Sequence, residues 1–171
     1  MENASFLALA VFASLSLVTA SSGYAFAPGA WYREIRKPRW KPPDRLFSPA
    51  WRLIFVMIAI AGWRVWTLAP AEALTPAMAA FGAQLVLNAL WPYLFFYRRR
   101  PDLAFANLAA LWIAIAVCVV QCAAIDVWAA ALMGGYLGWV SFAGALNIAV
   151  WRMNRGAIGE CRSNGPTDAE M

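Results

Sequence analysis

The sequence predicts an all-α membrane protein, a five-transmembrane-helix bundle with its N-terminus outside and its C-terminus cytoplasmic. Three observations carry that expectation. Apolar residues make up 63% of the 171 and charged residues 13%, against roughly 25% charged in a soluble domain, so a water-facing surface could not be covered. Five apolar runs each reach the ~20 residues that cross ~30 Å of hydrocarbon. The basic residues, in turn, gather in alternate connections between those runs.

The runs cover about 4–27, 48–69, 75–97, 102–124 and 127–151. Unbroken hydrophobicity over such lengths means helices, because helices satisfy their own backbone groups in lipid. A barrel would need short alternating strands, which the chain lacks. The first run holds Val18-Thr19-Ala20-Ser21, similar to a small-residue cleavage site. Its leading end carries Glu2 and no Lys or Arg, whereas a secretory signal starts basic, so it reads as a retained helix.

The second run carries Arg52 and Arg64 near its two ends, from which long side chains can snorkel to water. A salt bridge to a ligand carboxylate is the sharper alternative for Arg52. In the third run Gln84, Asn88 and Trp91 stand at i, i+4 and i+7, on one helix face. Amides in hydrocarbon need partners, so this face points inward. It either lines a cavity or bonds neighbouring helices, with Asn147 as the expected partner. Cys118 and Cys122 lie four apart in the fourth run. The chain contains no histidine, so two thiols make a poor metal site and read as small buried apolar groups. The fifth run contains Gly134-Gly135-x-x-Gly138, which allows close helix approach. Trp128 and Trp151, near its ends, read as interface anchors, and Trp63, Trp66 and Trp112 as belt or packing residues.

Orientation follows from the cations. The 28–47 connection holds Arg33, Arg36, Lys37, Arg39, Lys41 and Arg45. The 98–101 turn holds Arg98, Arg99 and Arg100, and the tail Arg152, Arg155 and Arg162. Twelve of the fourteen basic residues fall on one side only if there are five crossings, and that side is expected to be cytoplasmic. The net charge of +5 is therefore topological, and no nucleic-acid partner is expected. Residues 1–154 form one transmembrane domain, and the polar, glycine-rich 155–171 segment is expected to be disordered.

The first connection is unusual: Trp31-Tyr32-Arg33-Glu34-Ile35-Arg36-Lys37-Pro38-Arg39-Trp40-Lys41-Pro42-Pro43. Three prolines in six residues favour extended backbone. The stretch is either an interfacial loop or a stiff lid over a cavity. Its pattern W-Y-x-x-(L/I)-x-K-P-x-W-x-P-P, followed by Phe47 and Trp51, resembles the signature of the TspO/translocator protein family, the tryptophan-rich sensory proteins. Gln84-Leu85-Val86-Leu87-Asn88-Ala89-Leu90-Trp91 with Phe95-Phe96 is similar to that family's third-helix motif. Asp126-Val127-Trp128-Ala129, Tyr136-Leu137-Gly138-Trp139, Ala143 and Leu146-Asn147 are similar to its fifth helix. The resemblance runs from about Trp31 to Asn154.

It implies a five-helix bundle with a cavity, closed by the first loop, that binds porphyrins and sterol-like or synthetic aromatic ligands. Trp51 and Trp139 match the cavity pair. Asn88, Trp91 and Ala143 match other lining positions, and Trp31 and Trp40 match the lid. This chain departs from the family pattern at Gly135 (usually Pro), Phe55 (often Tyr) and Ile148 (Tyr in the sterol motif of animal relatives). Tetrapyrroles are therefore the expected ligand class. The function implied is a membrane sensor or carrier that binds porphyrin-like tetrapyrroles and regulates tetrapyrrole or pigment metabolism. No cofactor is required, and a protoporphyrin- or haem-like porphyrin is the expected ligand. An alternative is an interaction subunit docking onto a larger pigment-containing photosynthetic membrane complex. A lesser one is porphyrin degradation, although the chain has no acid–base dyad, triad, metal set or nucleotide loop. The remaining expected partners are the lipid bilayer and a second copy in a homodimer, and the expected location is a bacterial inner (cytoplasmic or photosynthetic) membrane.

Overall fold

A computed structural model describes the backbone of residues 2–163 and the side chains of 4–156. It contains α1 (Glu2–Ala25), a short α2 (Ala30–Glu34), α3 (Asp44–Leu68), α4 (Ala71–Pro92), α5 (Pro101–Ile125) and α6 (Val127–Ser163). A π-helical turn, Tyr93–Tyr97, continues α4. Five of these helices are long and apolar enough to cross a membrane, and no strand occurs among the described residues. The chain is a helical membrane protein.

Each long helix turns one narrow stripe inward and leaves the rest for lipid. On α1 the stripe is Ala8, Phe12, Ser16 and Thr19, stepping by three and four as a helix face requires. On α5 it is Ala104, Leu108, Leu111, Ile115, Cys118 and Cys122. On α6 it runs through Ala129, Met133, Tyr136, Val140, Ala143, Asn147, Val150 and Asn154. The outward residues are large and apolar, among them Phe6, Leu53, Val86, Ile113 and Val120, which is inverted from the polar surface of a soluble bundle.

The helices close into a ring in the order α1–α3–α6–α5–α4. Gly62 marks the tightest approach. A methyl group there would meet both the Phe12 and Phe81 rings at 2.6 Å. The bare backbone lets the edge-to-face pair of Phe12 and Phe81 (centroids 5.4 Å apart) bridge α1 and α4 across α3.

Four boundaries differ from the sequence expectations. The connection expected over 28–47 is shortened at both ends, because Ala30–Glu34 forms a helical turn and α3 starts at Asp44. Pro49 and Pro76 both lie inside helices, in the second turn, where each removes the hydrogen bond to the carbonyl four residues back. The third long helix accordingly begins at Ala71, directly after Pro70, rather than at 75. The helix expected to end near 151 continues as helix backbone to Ser163. Glycine weakens a helix by about 1 kcal/mol without ending it, and Gly156 and Gly159 are passed over. The expected disorder of 164–171 lies outside the described residues.

Backbone hydrogen bonds close the end of α4. Arg98 N–H donates to Tyr93 O at 2.8 Å, and Arg100 N–H to Leu94 O at 3.0 Å. Arg99 takes the left-handed conformation (φ 52°) that terminates the helix. The wider π turn presents both Phe95 and Phe96 to Tyr32, at 6.2 and 5.3 Å between centroids.

Candidate functional site

Aromatic rings converge where α3, α6 and the first connection meet, at the basic end of the bundle. Trp51 on α3 and Trp139 on α6 stand edge to face, with centroids 6.2 Å apart and planes at 88°. Phe55 lies beside Trp51 at 5.8 Å. Phe47 and Phe142 flank Trp139, each at 5.7 Å. Trp40 reaches the group from the connection, packing edge-on against Phe142 at 5.9 Å. The Nε1–H of Trp139 is buried without a hydrogen-bond partner among the described residues, an uncommon state for a buried donor.

A second group lies alongside. Trp91 stacks on Phe95 at 5.0 Å, and Trp31 meets Phe95 edge-on at 6.0 Å. Trp91 donates its Nε1–H to Asn147 Oδ1 at 3.2 Å, and Asn147 Nδ2 donates to Pro101 O at 2.8 Å. Asn147 is thus the interhelical partner expected for the Gln84–Asn88–Trp91 face, through Trp91. Asn88 pairs elsewhere, donating to Tyr136 Oη at 2.5 Å. Gln84 is fully buried with both amide atoms unpartnered among the described residues. Ala143 lies in the core one turn beyond Trp139.

The seven residues singled out in the sequence therefore separate. Trp40, Trp51 and Trp139 share one aromatic group, Trp31 and Trp91 share the other, Ala143 is packing, and Asn88 is engaged with a tyrosine. Trp91 packs both against the central core and against a second buried cluster of Phe95, Ala104 and Val150, and connects them. Tyr136, Phe47, Phe142 and Asn154 carry structural weight the sequence reading did not assign. Of these, Tyr136 and Asn154 were accessible as a polar seam on α6, since residues 136, 140, 143, 147, 150 and 154 step along one face.

The connection carries the local charge. Lys37 Nζ lies 4.6 Å above the Tyr32 ring, a cation–π position, and donates to the Arg33 and Ile35 carbonyls at 3.2 and 3.1 Å. Lys41 is paired with Asp44. Burial raises the Tyr32 phenol above its ordinary value, partly offset by Lys41. Burial lowers the Lys37 ammonium, and repulsion from Lys41 adds to it. Arg52 is exposed and donates to Ser48 Oγ at 3.0 Å. Arg64, expected to snorkel, instead makes a two-pronged ion pair with Asp126, at 2.5 and 2.8 Å. A separate groove of about 480 Å³ runs along the lipid side of α5 and α6, between Phe105, Trp112, Ile113, Ser141 and Ile148, away from Trp51 and Trp139. No group of three or more His, Cys, Asp or Glu among the described residues could hold a metal ion.

The fold and the site define a class: an α-helical membrane protein whose inter-helical aromatic group sits beneath a basic, proline-rich connection. The profile of the TspO/MBR family matches residues 5–152, and the chain belongs to that family. It is similar to the protein CrtK of Rhodobacter capsulatus, with 38% identity over 80% of this chain and 86% of that one. It is also similar to the tryptophan-rich sensory protein of Cereibacter sphaeroides (33% identity, covering 79% and 84%). The translocator protein of Sus scrofa is 33% identical over 75% of this chain and 78% of its own.

Proposed function

We propose that this protein is a membrane sensor or carrier that binds a porphyrin-like tetrapyrrole between Trp51 and Trp139 and regulates tetrapyrrole or pigment metabolism. One observation carries the reading: two indoles from different helices meet edge to face, and the buried N–H of Trp139 has no partner among the described residues. Flat indole faces stack on a planar macrocycle, and the free donor suits a carbonyl, carboxylate or ring nitrogen on it. The names of the relatives, a sensory protein and a translocator protein, accord with binding and signalling. The basic end faces the cytoplasm of a bacterial inner membrane on this reading, which puts the N-terminus outside.

Titrating protoporphyrin IX while following tryptophan fluorescence tests it. An aromatic contact contributes about 0.5–1.5 kcal/mol beyond area burial, so Trp51→Phe and Trp139→Phe each weaken binding severalfold. Replacement of either by Ala weakens it further, while Trp128→Phe, on the exposed start of α6, leaves it unchanged. Parent-like affinity in both Ala variants would remove the site from between these rings.

A further inference from the structure

The connection after α2 leaves the helix in extended backbone at Ile35 (φ −65°, ψ 148°) and turns at Arg39–Trp40, where the Lys41 N–H donates to Pro38 O at 3.1 Å. An extended segment lying on helices has no ladder partner, so its amide and carbonyl groups must be met by side chains or water. At Arg36 both are met by one side chain. Asn154, on α6 and 118 residues further along the chain, accepts the Arg36 N–H through Oδ1 at 2.9 Å. Its Nδ2 donates to Arg36 O at 2.8 Å and to Val150 O at 2.7 Å. The buried carboxamide is thereby satisfied at its oxygen and at both its protons, and it grips Arg36 as a neighbouring β-strand would.

Asparagine suits this task by its chemistry. It offers one acceptor and two donors on a short stem. Aspartate of the same shape would lose both donors and set a carboxylate against two carbonyl oxygens. The connection and the short α2 before it also make apolar contacts with the bundle, from Trp31 and Tyr32 to Phe95, from Ile35 to the cluster of Phe95, Ala104 and Val150, and from Trp40 to Phe142. Among the described residues, no other hydrogen bond joins residues 35–43 to α1, α4, α5 or α6. Asn154 also continues the α6 face that carries Tyr136, Ala143 and Asn147, so the grip rides on the helix that carries Trp139.

We propose that Asn154 is a latch that holds the 35–43 connection closed over the aromatic site and sets how fast a ligand reaches and leaves Trp51 and Trp139. The proposal rests on the ligand reading under Proposed function. Because the latch touches only the chain itself, the liganded and free closed states lose the same stabilisation when it is removed. A change without differential interaction leaves the equilibrium where it was, so both rates rise while Kd holds. Asn154 is a positioning residue here, acting through the connection.

The test uses the full chain in nanodiscs, as parent, Asn154→Ala and Asn154→Asp. The Asp variant preserves side-chain volume, so it guards against a void that unfolds the helix end. Amide hydrogen exchange at Arg36, without ligand, rises about tenfold or more in Asn154→Ala, which removes the acceptor of its N–H, and by less in Asn154→Asp, whose carboxylate still accepts that N–H while it repels the Arg36 and Val150 carbonyls. In stopped-flow quenching with protoporphyrin IX, association and dissociation accelerate together by severalfold at unchanged Kd. Unchanged exchange in both variants overturns the latch while porphyrin binding stands. Faster exchange with unchanged ligand rates shows that the connection is latched but does not gate, and overturns the proposal. Absence of quenching in the parent overturns the ligand reading and the gating with it, whatever the exchange shows.

Discussion

Asp126 occupies the turn between α5 and α6 with both carboxylate oxygens engaged. Oδ2 accepts from Arg64 Nε at 2.5 Å and from the Ala129 N–H at 2.8 Å, while Oδ1 accepts from Arg64 Nη2 at 2.8 Å. The residue therefore ties the C-terminal end of α3 to α6 and caps the α6 N-terminus. The Arg64 guanidinium holds its carboxyl down at about 2, with the Ala129 N–H assisting and desolvation opposing. A carboxylate depressed below its ordinary ~3.9 stabilises the fold above that pH and loses its contribution as pH falls toward the depressed value. The melting temperature in detergent is thus insensitive to this group between pH 5 and 8 and falls below pH 4. Asp126→Asn flattens that acid limb yet retains a capping oxygen. Asp126→Ala loses the cap as well, a further loss of about 1 kcal/mol. An acid limb that survives in Asp126→Asn would assign it to other carboxylates. The pairing was half legible: Arg64 stands near one end of the second run and Asp126 just before the fifth, but their proximity follows only from α3 packing against α6.

Among the helices, α3 and α4 show two opposite uses of small residues. Gly62 faces inward, and an added methyl would strike two phenyl rings that are wedged against each other. Gly62→Ala should destabilise by about 1–3 kcal/mol, as overpacking does, measured as a lower thermal midpoint in detergent. A parent-like midpoint would mean that Phe12 and Phe81 move aside freely. On α4, by contrast, Ala79, Gly82 and Ala83 lie exposed on the outer face. Small residues on a lipid-facing helix let a second backbone approach closely, and we propose a homodimer seated there. Ala83→Leu then weakens the dimer in cross-linking or mass measurement. Gly138, exposed with open space around it on α6, is the competing seat. Dimerisation that survives both Ala83→Leu and Gly138→Leu places the contact on neither helix. The five apolar runs were legible because hydrophobicity is a local property. Their true starts were not, since Asp44 and Ala71 lie upstream of the points where the apolar runs begin.

At the scale of the whole bundle, the ring order α1–α3–α6–α5–α4 gathers the Asn154 grip, the π turn and the aromatic groups at one end, and the Arg64–Asp126 pair at the other. That polarity makes the topology testable. A reporter fused after Arg100 or at the C-terminus is cytoplasmic, and one placed near Glu72 or Asp126 is external. Opposite locations for the Arg100 and C-terminal fusions would break the five-crossing topology. Composition, run lengths and the spacing of cations determined by themselves that the chain is a five-helix membrane protein, because lipid imposes length and hydrophobicity on every crossing segment separately. The tryptophan-rich signature likewise determined the family. The tertiary structure decided which aromatics meet, that Asn88 is held by Tyr136 and Trp91 by Asn147, that the Trp139 N–H has no partner among the described residues, and that Asn154 grips Arg36. Such contacts join residues dozens to more than a hundred positions apart. They depend on how helix faces rotate against one another once the ring closes, and that rotation is written in no single segment.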